Sequence, residues 1–155
     1  MTNPTTITAT PGLPYVEIVR EFDAPVSAVF RAHVEQSLYE QWLGCGDGSI
    51  DVTDFDASVG GRWAYVTKGE DMECNFHGVF HKVEQDRLIV QTFEFSLAPD
   101  QVGVDTTTFE DLGGRTRLVL RELYPSVEAR DAAMSSGMEH GIEAGYKRLD
   151  DLLAA

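Results

Sequence analysis

The chain has 155 residues, 43% of them hydrophobic, which suits one globular domain and excludes a disordered chain. Its 12 Lys and Arg face 26 Asp and Glu, a formal charge of −14, the wrong sign for gripping a nucleic-acid backbone or an anionic membrane surface. No run approaches the ~18 apolar residues that a spanning helix needs.

Met1 to Pro14 is rich in Thr and Pro and has neither a basic start nor an apolar core, so it reads as a flexible tail and not as a signal peptide. The domain proper then runs over 15–155. The two cysteines, Cys45 and Cys74, form no CxxC pair. Two plain thiols without a secretion signal imply a reducing, cytoplasmic compartment.

Tyr15 to Phe22 alternates, with Val16, Ile18 and Phe22 in one phase, and predicts the first strand. Arg20 shares that phase; a buried arginine needs a partner, so it forms an ion pair, sits at an edge, or anchors an acidic ligand at the cavity mouth. Asp23-Ala24-Pro25 predicts a helix start, with Pro25 at the first helical position and a polar cap before it. The helix takes in Val26, Val29, Phe30 and His33. A second short helix is predicted over Ser37 to Leu43, stopped by Gly44. The segment CGDGS is a loop.

Six further strands are predicted over 49–56, 62–67, 73–83, 87–95, 102–110 and 115–122. Gly60-Gly61, Lys68 to Asp71, Gln85-Asp86, Ala98-Pro99-Asp100 and Gly113-Gly114 supply the turns. Strands joined this closely form an antiparallel meander. After Pro125 the period becomes helical. Ser126 is the predicted cap, and a single helix of roughly seven turns, at ~3.6 residues per turn, is predicted to about Leu153. Met134, Met138, Ile142, Leu149, Leu152 and Leu153 mark its apolar side.

Gly137, Gly141 and Gly145 recur four apart on that helix. Each costs ~1 kcal/mol against alanine in a helix interior, so something should offset them. Two explanations remain open: close backbone packing, or space for a ligand. Facing them is an aromatic wall of Trp63 and Tyr65, of Phe76 and Phe80 around Gly78, and of Phe93 and Phe95. Gly78 would be a bend or gap in it.

No reactive constellation stands out. His77 and His81 lie four apart on one strand, ~13 Å at the strand rise, too far for one metal ion. Cys74 falls on the opposite strand face from His77. His33 and His140 are isolated, and a composite site of His140 with Glu143 on the long helix stays open. There is no nucleophile elbow or P-loop. Glu94 and Asp105 become pocket acids if their strands pleat inward, a register the sequence leaves open. No catalytic residue, metal ligand or cofactor is assigned.

The order FDAP-x3-VF, QWLG, GGRWAY, FHGVF, QDRLIVQTFEF, GGRTRLVL and MSSGMEHGIEAGYKRLDDLL resembles the heat-shock-protein-90 ATPase activator homologue family, within the START-like SRPBCC superfamily. The resemblance covers about Tyr15 to Leu153. It implies an α+β helix-grip fold (START/Bet v 1-like): a seven-stranded curved antiparallel sheet, two short helices and a long C-terminal helix closing a cavity. It also implies that Trp42, Trp63, Tyr65, Phe80, Phe93, Met138 and Ile142 line or approach that cavity. Phe76, Gly141 and Gly145 join them from the aromatic wall and the glycine stripe. Related chains often carry Trp at the position of Ile142 and a larger residue at Gly145, so more room is expected here.

The expected partner is a hydrophobic or amphipathic small molecule. The alternatives are a cyclase- or hydrolase-like enzyme working in the cavity, and a chaperone ATPase cofactor. No residue specifies an oligomeric state, and a homodimer is compatible with the sequence.

Overall fold

The computed structural model describes residues 3–44, 50–67 and 75–155. Cys45, Cys74, the loop after Gly44 and the predicted turn over 68–71 lie outside the described residues. Strand β1 (Thr5–Thr8) runs antiparallel to β2 (Tyr15–Phe22), with Ile7 opposite Ile18. Among the described residues the sheet therefore has eight strands, not seven, and part of the expected tail belongs to it. Three threonines around one isoleucine suit a pleated edge strand but give no clear apolar alternation. Arg130, buried beneath this segment, donates to the carbonyls of Thr10 and Tyr15 at 3.1 and 3.2 Å and holds it down.

Helices α1 (Val26–Val34) and α2 (Gln36–Trp42) carry the chain from β2 across to the far edge of the sheet. Pro25 is the capping residue itself, its carbonyl accepting from Ala28 and Val29 N–H; it is not the first helical residue. Asp23 does not cap. It pairs with Arg115 at 2.9 Å.

The meander then returns through β3 (Ile50–Phe55), β4 (Arg62–Thr67), β5 (Phe76–Glu84), β6 (Leu88–Phe95), β7 (Gly103–Asp111) and β8 (Thr116–Leu123). The order across the sheet is β1-β2-β8-β7-β6-β5-β4-β3, antiparallel throughout. Register shifts between Val52 and Asp54 and between Phe80 and Lys82 bend β3 and β5, which helps the sheet curve. Gly113 and Gly114, with φ of 80° and 89°, form the two-residue turn between β7 and β8. Only glycine takes both positions without strain.

The predicted single C-terminal helix is two helices: α3 (Val127–Ser135) and α4 (Met138–Ala154). Ser126 caps α3 as expected, its Oγ accepting from Ala129 N–H at 3.0 Å. The break comes at Gly137, in the left-handed region at φ 88°. Just before it, the Ser136 hydroxyl donates to the Ala133 carbonyl at 2.6 Å, competing with the helical ladder. Gly137 is thus a joint, and its cost inside a continuous helix does not arise.

The core is tightest where α1 and the C-terminal half of α4 meet β2, β7 and β8. Val16, Ile18, Phe22, Val29, Leu118 and Leu149 have no exposed surface. Full burial of side chains this size contributes ~1.5–3 kcal/mol each. Phe22 meets Tyr146 edge-on at 5.4 Å, and Phe30 meets Phe109 at 5.3 Å. Trp42 stacks on Tyr146 at 6.0 Å and donates to the Ala32 carbonyl at 3.0 Å, fixing α2 against both helices.

Candidate functional site

The pleat of the sheet decides which side chains face α4. Val16, Ile18 and Arg20 are buried, and they stand opposite Glu122, Leu120 and Leu118 of β8. Those three in turn stand opposite Asp105, Thr107 and Phe109 of β7, and Asp105 stands opposite Gln91 of β6. Gln91, Asp105 and Glu122 therefore form a polar row across three central strands, on the inner face. Directly opposed residues put their Cβ atoms ~4.5–5.5 Å apart, so the two acids are immediate neighbours.

The acids have few partners. Asp105 Oδ1 is buried and accepts no hydrogen bond. Glu122 accepts from the Tyr124 hydroxyl at 3.1 Å, and the same hydroxyl lies 3.7 Å from the Met138 sulfur. Among the described residues, neither acid forms an ion pair. Burial raises the Asp105 carboxyl well above its ordinary range, and the Glu122 charge adds to the rise. Burial also pushes Glu122 up, to about 7, although the Tyr124 hydrogen bond pulls the other way. Near neutral pH the pair therefore holds a proton.

Four tyrosines sense this pair: Tyr39 from α2, Tyr65 from β4, Tyr124 after β8 and Tyr146 from α4. Burial raises each phenol; Asp105 raises all four further, and Glu122 adds to the rise at Tyr65, Tyr124 and Tyr146. They stay neutral and able to donate.

The two halves of the interior differ. At the Phe22 end the side chains are fully packed. Around the acid pair, Gln91, Asp105, Glu122, Tyr124, Met138 and Ile142 each keep part of their accessible surface. The acids are hemmed in closely enough to be desolvated, although neither residue is fully buried.

The predicted lining residues divide accordingly. Met138, Ile142 and Phe76 are half-buried and pack against the core, and a Cβ on Gly141 would meet no atom within 4 Å, so the open space lies at Gly141. Tyr65 and Phe93 border the same region, Phe93 meeting Tyr124 edge-on at 5.4 Å. Trp42 and Phe80 belong to the packed core. Trp63 is buried because its indole crosses over Gly78 and donates to the Thr92 carbonyl at 3.0 Å. A Cβ on Gly78 would lie 2.6 Å from that indole nitrogen, so the gap in the wall is filled by Trp63. Gly145 serves close packing: its Cβ would come 3.2 Å from the Trp42 carbonyl, which also accepts from Arg148 at 3.1 Å.

Arg20 is a structural ion pair. It forms a two-pronged bond to Asp150 at 3.0 and 2.5 Å and lies over the Phe22 ring. Of the two candidate acids, Asp105 points inward. Glu94 points outward, 3.4 Å from the half-exposed His77. Both help to line a groove of about 280 Å³ on the outer face, together with Arg62, Thr92 and Val102. His33 is held neutral: burial lowers it to about 4, and its Nδ1 lies 2.8 Å from the Val29 carbonyl. Among the described residues, no group of His, Cys, Asp or Glu could hold a metal ion, and no helix is long and apolar enough to cross a membrane.

Glu122, Tyr124, Gln91, Tyr39 and Tyr146 were not singled out by the sequence. The legible signal was Glu122, an acid in the same phase as Leu118 and Leu120.

A curved antiparallel sheet holding a C-terminal helix over a partly open inner face defines a START-like, SRPBCC-type domain. The chain belongs to the family described as activator of Hsp90 ATPase homolog 1-like protein, whose model matches residues 23–154. A crystal structure from Mycobacterium smegmatis is similar over 97% of both chains, with a TM-score of 0.87 and 23% identity. A solution structure from Arthrobacter aurescens has a TM-score of 0.86 at 24% identity, covering 96% of this chain and 91% of its own. One from Staphylococcus epidermidis has a TM-score of 0.82 at 26% identity, covering 96% and 93%. No curated protein matches the chain.

Proposed function

We propose that this domain binds an amphipathic small molecule between α4 and the open half of the sheet. The polar end of the molecule meets Asp105 and Glu122, and its apolar part runs along Phe93, Tyr124, Met138 and Ile142. The observation that carries this reading is the buried, unpartnered Asp105 Oδ1. An orphaned buried acceptor costs ~1–3 kcal/mol or more, and a ligand donor would offset that cost. The partly accessible side chains around it supply the apolar contact that small-molecule sites use.

The test is native mass spectrometry and thermal shift on the whole chain against a panel of amphipathic small molecules. A saturable one-to-one ligand that loses its effect in Ile142→Trp, where the added ring occupies the space, supports the reading. No stabilising member of the panel, together with unchanged behaviour of the variant, sinks it.

The acid pair also favours a second reading, acid–base catalysis on a bound molecule. A carboxyl titrating near 7 is suited to move protons at neutral pH, and four tyrosine hydroxyls could steady a developing oxyanion. Turnover of a bound panel member that falls at least tenfold in Asp105→Asn, with binding retained, would establish it. A bound molecule recovered unchanged after long incubation counts against it.

A further inference from the structure

The chemistry around Asp105 narrows the class of occupant, on the premise that the inner space binds a ligand at all. Two carboxyls stand directly opposite each other on β7 and β8. One oxygen of Asp105 is buried and has no partner. Three arginines with buried or half-buried side chains have other duties. Arg20 is tied to Asp150, Arg130 to backbone carbonyls and Asp131, and Arg148 to the carbonyls of Trp42 and Gly44. An anionic head group placed here would meet two acids and no free cation among the described residues. Rings approach from several sides: Tyr65, Phe93, Tyr124 and Tyr146. Aromatic faces attract a cation most strongly when it has been stripped of water. The whole chain, at −14, also raises the local concentration of cations at its surface.

We propose that the occupant carries a protonated amine, seated between Asp105 and Glu122, with an apolar body lying against Phe93, Tyr124 and the Met138–Ile142 edge of α4. A monovalent cation matches a pair that shares one proton, because the bound complex is then close to neutral. Where the pair holds more than one proton, amine binding expels the excess. The titratable groups facing the pair are Tyr39 from α2, Tyr65 from β4, Tyr124 after β8 and Tyr146 from α4, all neutral, so the proton leaves from the acids.

Three compact probes of one shape test the idea: 4-phenylbutylamine, 4-phenylbutanol and 4-phenylbutyrate, each titrated calorimetrically into the whole protein. The amine is expected to bind one-to-one and at least ~10-fold tighter than the alcohol, with the carboxylate weakest; tenfold is about 1.4 kcal/mol. Asp105→Asn is expected to remove the amine's advantage, so that amine and alcohol bind within about twofold of each other. A surface control, Glu110→Gln, should leave all three unchanged. In the wild-type protein at pH 6, the amine's binding heat should depend on the buffer's ionisation enthalpy, reporting proton release, and the alcohol's should not. That readout holds even if Asp105→Asn does not fold. Equal affinity for amine and carboxylate, or an amine advantage that survives in Asp105→Asn, overturns the proposal. Binding of the alcohol without preference for the amine overturns it while leaving the ligand-binding reading intact. Failure of all three to bind overturns the amine proposal, while the ligand-binding reading is decided by the broader panel and the Ile142→Trp variant.

Discussion

Replacing Glu122 by Gln isolates the energetic cost of the acid pair. The ordinary glutamate value is 4.5, and in the fold Glu122 sits at about 7. A raised carboxyl means that the folded state holds the proton more tightly than the unfolded chain does. Its contribution is fully favourable below about pH 4.5 and is lost as pH climbs through about 7. At about 1.36 kcal/mol per pH unit, the span amounts to ~3 kcal/mol, a large share of a typical ~5–15 kcal/mol. His33 works in the opposite sense. It is held neutral with a value lowered to about 4, so its contribution is lost as pH falls from about 6.5 towards 4. The two nearly offset each other in the wild-type profile, so the informative quantity is the difference between variant and wild type. Gln keeps the shape of Glu122 and can accept from Tyr124, but it carries no charge. Urea unfolding followed by Trp42 and Trp63 fluorescence should show Glu122→Gln equal to wild type near pH 4.5. By pH 8 the variant should be about 3 kcal/mol more stable. A difference that stays constant between pH 4.5 and pH 8, or a variant that is less stable at pH 8, would refute the burial of this charge.

Other substitutions probe the frame around the site. Asp150→Ala leaves Arg20 buried without its partner and should cost ~3–5 kcal/mol, whereas Arg20→Met should cost clearly less; denaturant midpoints compare the two. Gly78→Ala places a Cβ 1.9 Å from the Thr92 carbonyl, so Trp63 and the β5–β6 pairing must shift. A loss of ~1–3 kcal/mol with red-shifted tryptophan emission is expected. If the proposed ligand space adjoins Gly141, Ile142→Trp extends into it and should keep or raise the melting temperature. A fall of several degrees would show that the region is already full.

How far the sequence could be read varied with how strongly each signal was local. The β2 alternation, the Ser126 cap and the Gly113-Gly114 turn all depend on residues a few positions apart, and the structure has them where the spacing places them. The break at Gly137 was hidden because glycine at a helical interval fits both a helix interior and a left-handed joint. Only the positive φ distinguishes them. The N-terminal strand was hidden because its pairing partner, not its own pattern, makes it a strand.

The acid pair was the least legible feature, for a related reason. Glu122 lies in an apolar phase that could be read, but its importance comes from Asp105 directly across the ladder, seventeen positions earlier by number. Pairing register creates the cluster, and register follows from the Gly113-Gly114 turn: moving the pairing by one residue would turn Asp105 to solvent while Glu122 stayed inside. A two-residue turn that glycines adopt easily thus fixes which acids are desolvated together. The three helix glycines, which first suggested a cavity, serve three different ends: a joint at Gly137, open room at Gly141 and close packing at Gly145. The chemical character of the site is set by the sheet, and the helix mainly limits its size.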